Sequence, residues 1–212
     1  MKSKYAFWLS IVALVTTFAS CSKDPLNDLT EEGSRIYITN YDSTARFSNY
    51  KTYSISDSVT VDNNGQVARQ SNATDQAFIS AVKGEMQARG FTLVSKTSKP
   101  DLGINVNRIY NTSTGIIRYR DYFNDYYGMY MDPFYWGYSG YGYYSPYSYA
   151  TYSIREGALS VDMLDLKNAA TTNRIGVVWT GLIRGSGIFN ASTAPSQVKA
   201  LFDQSPYLKT QQ

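Results

Sequence analysis

The chemistry open to this chain is bounded first by what it lacks: its 212 residues include no histidine and one cysteine, Cys21. Nucleophile and base arrangements of the Ser-His-Asp and Cys-His kinds are therefore excluded, as is a zinc site ligated by histidine. A Ser-Lys dyad or a pair of carboxylates is what remains for a hydrolase. The notable acidic spacing is Asp162 and Asp165 in "VDMLDLK". Three apart on a strand, they point to opposite faces and do not converge. Asp162 is expected to face solvent or pair across a sheet, and Asp165 to cap the turn that follows. Asp101, after Pro100, is expected to open a strand. The glycines of "TGLIRGSG" (180–187) fit neither a phosphate loop nor a dinucleotide turn and are expected to mark a twisted strand end. No residue is assigned a catalytic role, and no residue set asks for a metal or a cofactor.

What the chain has in abundance is tyrosine. Residues 125–152, "DYYGMYMDPFYWGYSGYGYYSPYSYATY", hold eleven of the 20 tyrosines and contain no Leu, Ile, Val, Lys or Arg. Rigid aromatic rings offer stacking area for sugar CH faces at low entropy cost. The candidate ligand or partner contacts are Tyr126, Tyr127, Tyr130, Tyr135, Trp136, Tyr138, Tyr141, Tyr144 and Tyr147, with Arg118 and Arg120 just before them. Arg108, Arg118 and Arg120 alternate with Tyr110, Tyr119 and Tyr122. That composition suits sugar phosphates or anionic polymers, and equally an ordinary solvated strand face. From Tyr135 to Tyr147 a tyrosine recurs every third residue, which a polyproline II stretch would align on one face about 9 Å apart. Without aliphatic residues the segment is poorly suited to a conventional core. Two readings stay open: a mobile or self-packed aromatic loop, or a surface turned to a partner, a glycan or a membrane.

Cys21 ends "MKSKYAFWLSIVALVTTFASC", in which Lys2 and Lys4 precede an apolar run that closes in small residues. Such a run is a secretory signal, too short and one-sided for a membrane span. "FASC" resembles the lipobox of bacterial lipoproteins, with Phe18 where Leu or Val is usual; residues 1–20 are then a signal peptide and Cys21 is the lipidated first residue of the mature chain. An exported chain with a lone cysteine has no internal disulfide to make, which leaves acylation as the use of the sulfur. Two or three acyl chains, at about 0.8 kcal/mol per buried methylene, anchor stably. Residues 21–34 read as a lipidated tether. Ser22, not Asp, follows the cysteine, and Lys23-Asp24 resembles surface-export signals of some Gram-negative phyla. The expected address is the outer membrane, on its periplasmic face or at the cell surface. The net charge of +3 falls to +1 once Lys2 and Lys4 are removed, which argues against a nucleic-acid partner.

Periodicity places strands at 35–42, 47–56, 91–95 and 101–110, the last continuing into "TGIIRYRDY", and a turn at 62–65. A helix runs from Asn72 or Thr74 to Arg89 with Gly90 as its C-terminal signal. Residues 157–166 and 174–186 pattern as a hairpin, and 192–206 as a short closing helix. The expected fold is α+β: a mixed or antiparallel sheet of about five strands with two helices on one face, in one domain over 35–208, carrying a Tyr/Gly-rich loop insert at about 119–152.

The segments "NYDSTARFSNYKTYSI" (40–55), "MQARGFTLVSKTSKPDLGINVN" (86–107), "REGALSVDMLDLKNAATTNRIGVVWTG" (155–181) and "VKALFDQSPY" (198–207) resemble an uncharacterised lipoprotein family, domain-of-unknown-function family 4136. The resemblance implies an envelope lipoprotein domain of α/β character and brings no reaction, cofactor or catalytic residue with it. The hairpin also resembles those of envelope assembly lipoproteins, an analogy of fold alone. The leading expectation is a non-enzymatic, membrane-anchored scaffold or binding module with envelope proteins as partners. The alternative is a glycan- or peptidoglycan-binding module that uses the tyrosine-rich loop, and a hydrolase is the third. Asp42-Ser43-Thr44 and Asp57-Ser58-Val59 match a short O-glycosylation pattern of some Gram-negative phyla.

Overall fold

The computed structural model describes residues 30–63, 66–110, 116–118, 133–146, 151–153 and 157–210, with the backbone alone at 116–118, 134 and 151–153. Cys21, the signal peptide and most of the tether lie outside these residues, as do Tyr126, Tyr127, Tyr130, Tyr147 and Arg120. The chain divides into two units, Met1–Ser34 and Arg35–Gln212. Of the first, Thr30 to Ser34 form a turn in which the Ser34 amide donates to the Thr30 carbonyl at 2.9 Å.

The second unit is α+β. Its strands are β1 (Ile36–Tyr41), β2 (Thr52–Ile55), β3 (Val59–Asn63), β4 (Gln66–Gln70), β5 (Thr92–Leu93), β6 (Leu102–Tyr110), β7 (Ile116–Arg118), β8 (Gly142–Tyr144), β9 (Thr151–Ser153), β10 (Ala158–Asp165) and β11 (Arg174–Arg184). Its helices are α1 (Ala73–Ala88), α2 (Ala169–Thr172) and α3 (Ala194–Asp203). Among the described residues nine strands form one mixed sheet, and β7 pairs with β9 apart from it. The sheet is thus larger than the five strands expected.

β6, β10 and β11 form the antiparallel centre, with Val161 opposite Val106 and Gly181. The far edge of β6 is shared by two parallel strands, β2 along Leu102 to Ile104 and β3 along Asn107 to Tyr110. The outer edge of β11 is shared likewise, by β1 antiparallel along Trp179 to Arg184 and by β8 parallel along Arg174 to Gly176. β4 extends β3 as a hairpin. Most of β4 is exposed and polar, so it lacks the apolar alternation by which strands are recognised from sequence.

Alternation along the central strands sends side chains to two different cores. Leu102, Ile104 and Val106 of β6, Leu159, Val161 and Met163 of β10, and Trp179 and Ile183 of β11 pack with Phe78, Ile79, Val82 and Met86 of α1 and Val198, Leu201 and Phe202 of α3. Each such side chain contributes about 2 kcal/mol on burial. Gly181 lets α3 approach: a Cβ there would lie 2.5 Å from both Leu201 and the Trp179 ring. The opposite set, Ile109, Ala158, Leu164, Val177 and Leu182, packs with Trp136 and, half-buried, Tyr135, Tyr138, Tyr141 and Tyr143. The sheet is therefore covered on both sides, by α1 and α3 on one and by part of the tyrosine-rich segment, with Ala169 of α2, on the other. The sheet expected to carry helices on one face thus has a second covered face, and the segment expected to be poorly suited to a conventional core supplies part of one.

Local chemistry sets the ends of α1. Asn72 and Asp75 form a capping box, with reciprocal bonds of 2.9 and 3.0 Å between each carboxylate or amide oxygen and the other's backbone amide. Gly90, at φ +87°, turns the chain out of the helix. Buried Asp75 also faces Arg108 of β6, whose Nε lies 2.9 Å from Oδ1. The same guanidinium donates to the Gln70 side chain at 2.7 Å and to the Tyr110 hydroxyl at 2.9 Å.

Candidate functional site

At one end of the sheet the chain leaves β1 and crosses to β2 through residues 42–51. The Asp42 carboxylate bends the chain on itself, accepting from the Thr44 amide at 2.8 Å and the Thr44 hydroxyl at 2.6 Å. Phe47 and Tyr50 then turn inward, the first at the start of a single 3-10 turn, Phe47–Asn49. Their burial leaves Ser43, Thr44 and Arg46 exposed.

The facing wall is the turn between β10 and β11. Asp165 caps it as expected: Oδ1 accepts from the Asn168 amide at 3.0 Å, and Oδ2 from the Asn168 side chain at 2.7 Å. Oδ2 also accepts from the Tyr50 hydroxyl at 3.0 Å. Burial, then the adjacent Asp165 charge, pushes the Tyr50 phenol well above its ordinary value, so it stays a donor. Lys167 donates to the Asn49 carbonyl at 2.6 Å and lies 3.6 Å from Asp101. Asp101 opens β6 and binds across to β2, accepting from the Lys51 and Thr52 amides at 2.6 and 3.1 Å. The third wall is Tyr144 of β8 with Arg174 of β11, whose guanidinium carbon sits 3.9 Å from the centre of the Tyr144 ring.

Between these walls lie three hollows of about 730, 480 and 490 Å³, all bordered by Thr44. Their linings overlap around residues 41–51 and together make a grooved surface: Arg46 borders the first and third hollows, and Tyr144 and Arg174 border the second. Tyr41 and Tyr144 both border the second hollow, and each is 43 % exposed. The groove thus combines two partly exposed rings, Tyr41 packed against Tyr207 and Tyr144 under Arg174, with charged and amide groups, the composition of a surface that holds a polar ligand with CH faces.

The tyrosine-rich candidates divide. Trp136, 7 % exposed, packs onto the sheet over Gly103. Tyr135 meets it edge-on at 4.9 Å and lies within 4.3 and 4.1 Å of the Arg69 and Lys96 charges. Tyr138 donates to the Leu166 carbonyl at 2.8 Å and pairs with Tyr141 at 5.5 Å. Tyr144 alone of these stands open on the groove. A 3-10 turn, Pro133–Trp136, followed by β8 replaces the polyproline register over this stretch. Arg118 lies in β7, its backbone paired with Thr151.

Arg108 is buried in its ion pair with Asp75 and takes no part in a surface cluster. Asp162 is buried as well and, of the two expected alternatives, takes the pairing across the sheet: its Oδ2 accepts from the Asn107 side-chain amide at 2.7 Å and from the Ser160 hydroxyl at 3.1 Å. Sequence reasoning missed Tyr41, Arg46, Tyr50, Asn168 and Arg174 as neighbours. The one local signal was the "NYDST" turn; the rest depends on the register of β8 against β11.

The family model of a domain of unknown function, DUF4136, matches residues 38–207. The chain belongs to the DUF4136 family. The crystal structure of a DUF4136 family protein from Bacteroides thetaiotaomicron is similar to it, with a TM-score of 0.62 and 27% identity, over 84% of this chain and 99% of that one. None of the curated proteins matches this chain. The DUF4136 match takes in the whole of the groove and the buried part of the tyrosine-rich segment.

Proposed function

We propose that this DUF4136 protein is a non-enzymatic binding module of a bacterial cell envelope, held at the outer membrane by acyl chains on Cys21, and that its groove takes a saccharide. The ligand class rests on one observation: Tyr41 and Tyr144, both large, aromatic and 43 % exposed, border the same hollow. Sugar rings present CH faces to such rings, and Asn168, Asp42 and Asp165 beside them offer partners for hydroxyl groups. Peptidoglycan is the envelope polymer of this class. The address rests on the apolar run and small residues that lead to Cys21.

The full-length protein in detergent, applied to purified peptidoglycan and to a glycan array, is expected to bind, and Tyr144→Ala to weaken binding about tenfold. Binding unaffected by Tyr41→Ala and Tyr144→Ala overturns the groove assignment. Labelled palmitate is expected in the wild type and not in Cys21→Ala; label in the variant refutes the anchor.

A further inference from the structure

The charges along the groove are unevenly used. Four cations border it, Arg46, Lys51, Lys167 and Arg174, against two carboxylates, Asp42 and Asp165. Both carboxylates are engaged within the protein, Asp42 by Thr44, and Asp165 by Asn168 and Tyr50. Two of the cations are engaged as well: Lys51 donates to the Thr210 carbonyl at 2.9 Å and Lys167 to that of Asn49. The side chains of Arg46 and Arg174 make no hydrogen bond or ion pair among the described residues. Arg174 is held in place all the same over the Tyr144 ring, its guanidinium carbon 3.9 Å from the ring centre, and the residue remains exposed.

We propose that the groove selects a saccharide carrying an acidic substituent, a carboxylate or a phosphate, with Arg46 and Arg174 as the residues that read the charge. This rests on the saccharide reading of the same groove and adds its specificity. A planar guanidinium forks onto either anion through two parallel N–H donors, and such charge-assisted bonds are about twice as strong as neutral ones. Tyr144 and the Arg174 stacked on it form one composite platform: the ring takes the sugar face and the guanidinium the acid at its edge.

The test uses the full-length protein in detergent on an array of neutral, uronic-acid-bearing and phosphate-bearing glycans, with wild type, the double variant Arg46→Gln/Arg174→Gln, and Tyr144→Ala. Both arginines are exposed, so the double variant is expected to fold, which its unfolding midpoint checks. Acidic glycans are expected to bind at least tenfold more tightly than neutral analogues, with an advantage that shrinks as salt is raised. The uronic and phosphate arms identify which anion is read. The double variant is expected to bring the affinity for acidic glycans down to its own affinity for the neutral analogues. Equal binding of neutral and acidic glycans overturns the acid selectivity and leaves the saccharide reading standing. Acid preference that survives in the double variant overturns the role of the two arginines, and displacement by inorganic phosphate alone reduces the site to an anion site and overturns the proposal. Binding of no glycan overturns both readings.

Discussion

Trp136 lies so close over Gly103 of β6 that a Cβ on the glycine would stand 3.1 Å from the indole. A nine-residue strand with a glycine at its second position thus makes the seat for an aromatic side chain 33 residues further along the chain. The tyrosine-rich segment is anchored here, and Tyr138 adds a second tie to the Leu166 carbonyl.

Trp136→Ala is expected to destabilise the protein by about 3 kcal/mol in denaturant unfolding, as for a large aromatic removed from a core. Gly103→Ala is expected to cost about 1 to 3 kcal/mol, because Trp136 and Leu166 must both move. In the double variant the two costs add to less than their sum, since the space left by the indole receives the methyl group. A loss of under about 0.5 kcal/mol for Trp136→Ala would be the behaviour of an unattached loop and would count against this packing.

Arg108→Met is expected to cost about 3 to 5 kcal/mol, because it leaves the Asp75 carboxylate buried without a countercharge. Adding Asp75→Asn is expected to recover part of the loss, since a neutral amide still completes the capping box with Asn72. Thermal unfolding of the two variants side by side measures this. An unchanged midpoint in Arg108→Met would contradict the ion pair.

Gly84 is exposed in the middle of α1, and a Cβ added there meets nothing within 4 Å. Gly84→Ala is expected to raise stability by about 1 kcal/mol through lower backbone entropy in the unfolded chain. Destabilisation on urea unfolding would mean that the exposed face of α1 is in contact with something else.

Buried phenols set an alkaline limit. Burial pushes Tyr53 up to about 12, and burial is also the first cause that raises Tyr50, Tyr138 and Tyr207. Unfolded tyrosines ionise near pH 10, so their stabilising effect is complete below that pH and is lost as pH rises toward 12. Tyr53→Phe, whatever its cost at neutral pH, is expected to make the loss between pH 9 and 12 smaller by about 2 kcal/mol. Chemical unfolding at a series of pH values checks it; parallel curves for variant and wild type would exclude a titrating Tyr53.

Much of the first core was legible because each element carries a strong period of its own. Leu102, Ile104 and Val106 alternate on β6, while Phe78, Val82 and Met86 recur at helical spacing on α1. Asn72 and Gly90 are local signals that mark the helix ends regardless of context. The hairpin of β10 and β11 and its Asp165 cap follow from the same short-range logic.

The second layer was hidden for a physical reason. A strand such as β4, polar and at an edge, has no buried face to write into its sequence. Burial of Trp136 depends on Gly103, Leu164 and Leu166 arriving beneath it, which no window of sequence around the tryptophan reveals.

By itself, then, the sequence determined the absence of histidine chemistry, a single cysteine at Cys21, and the alternations that build a sheet under two helices. Only the tertiary structure decided which tyrosines are core and which are surface, since exposure belongs to the neighbours a side chain meets and not to its type. It also decided the groove, because Tyr41, Arg46, Tyr144, Asn168 and Arg174 come from four separate stretches of chain. They border overlapping hollows, and the register of β1 and β8 along the two halves of β11 brings Tyr41, Tyr144 and Arg174 to the same one.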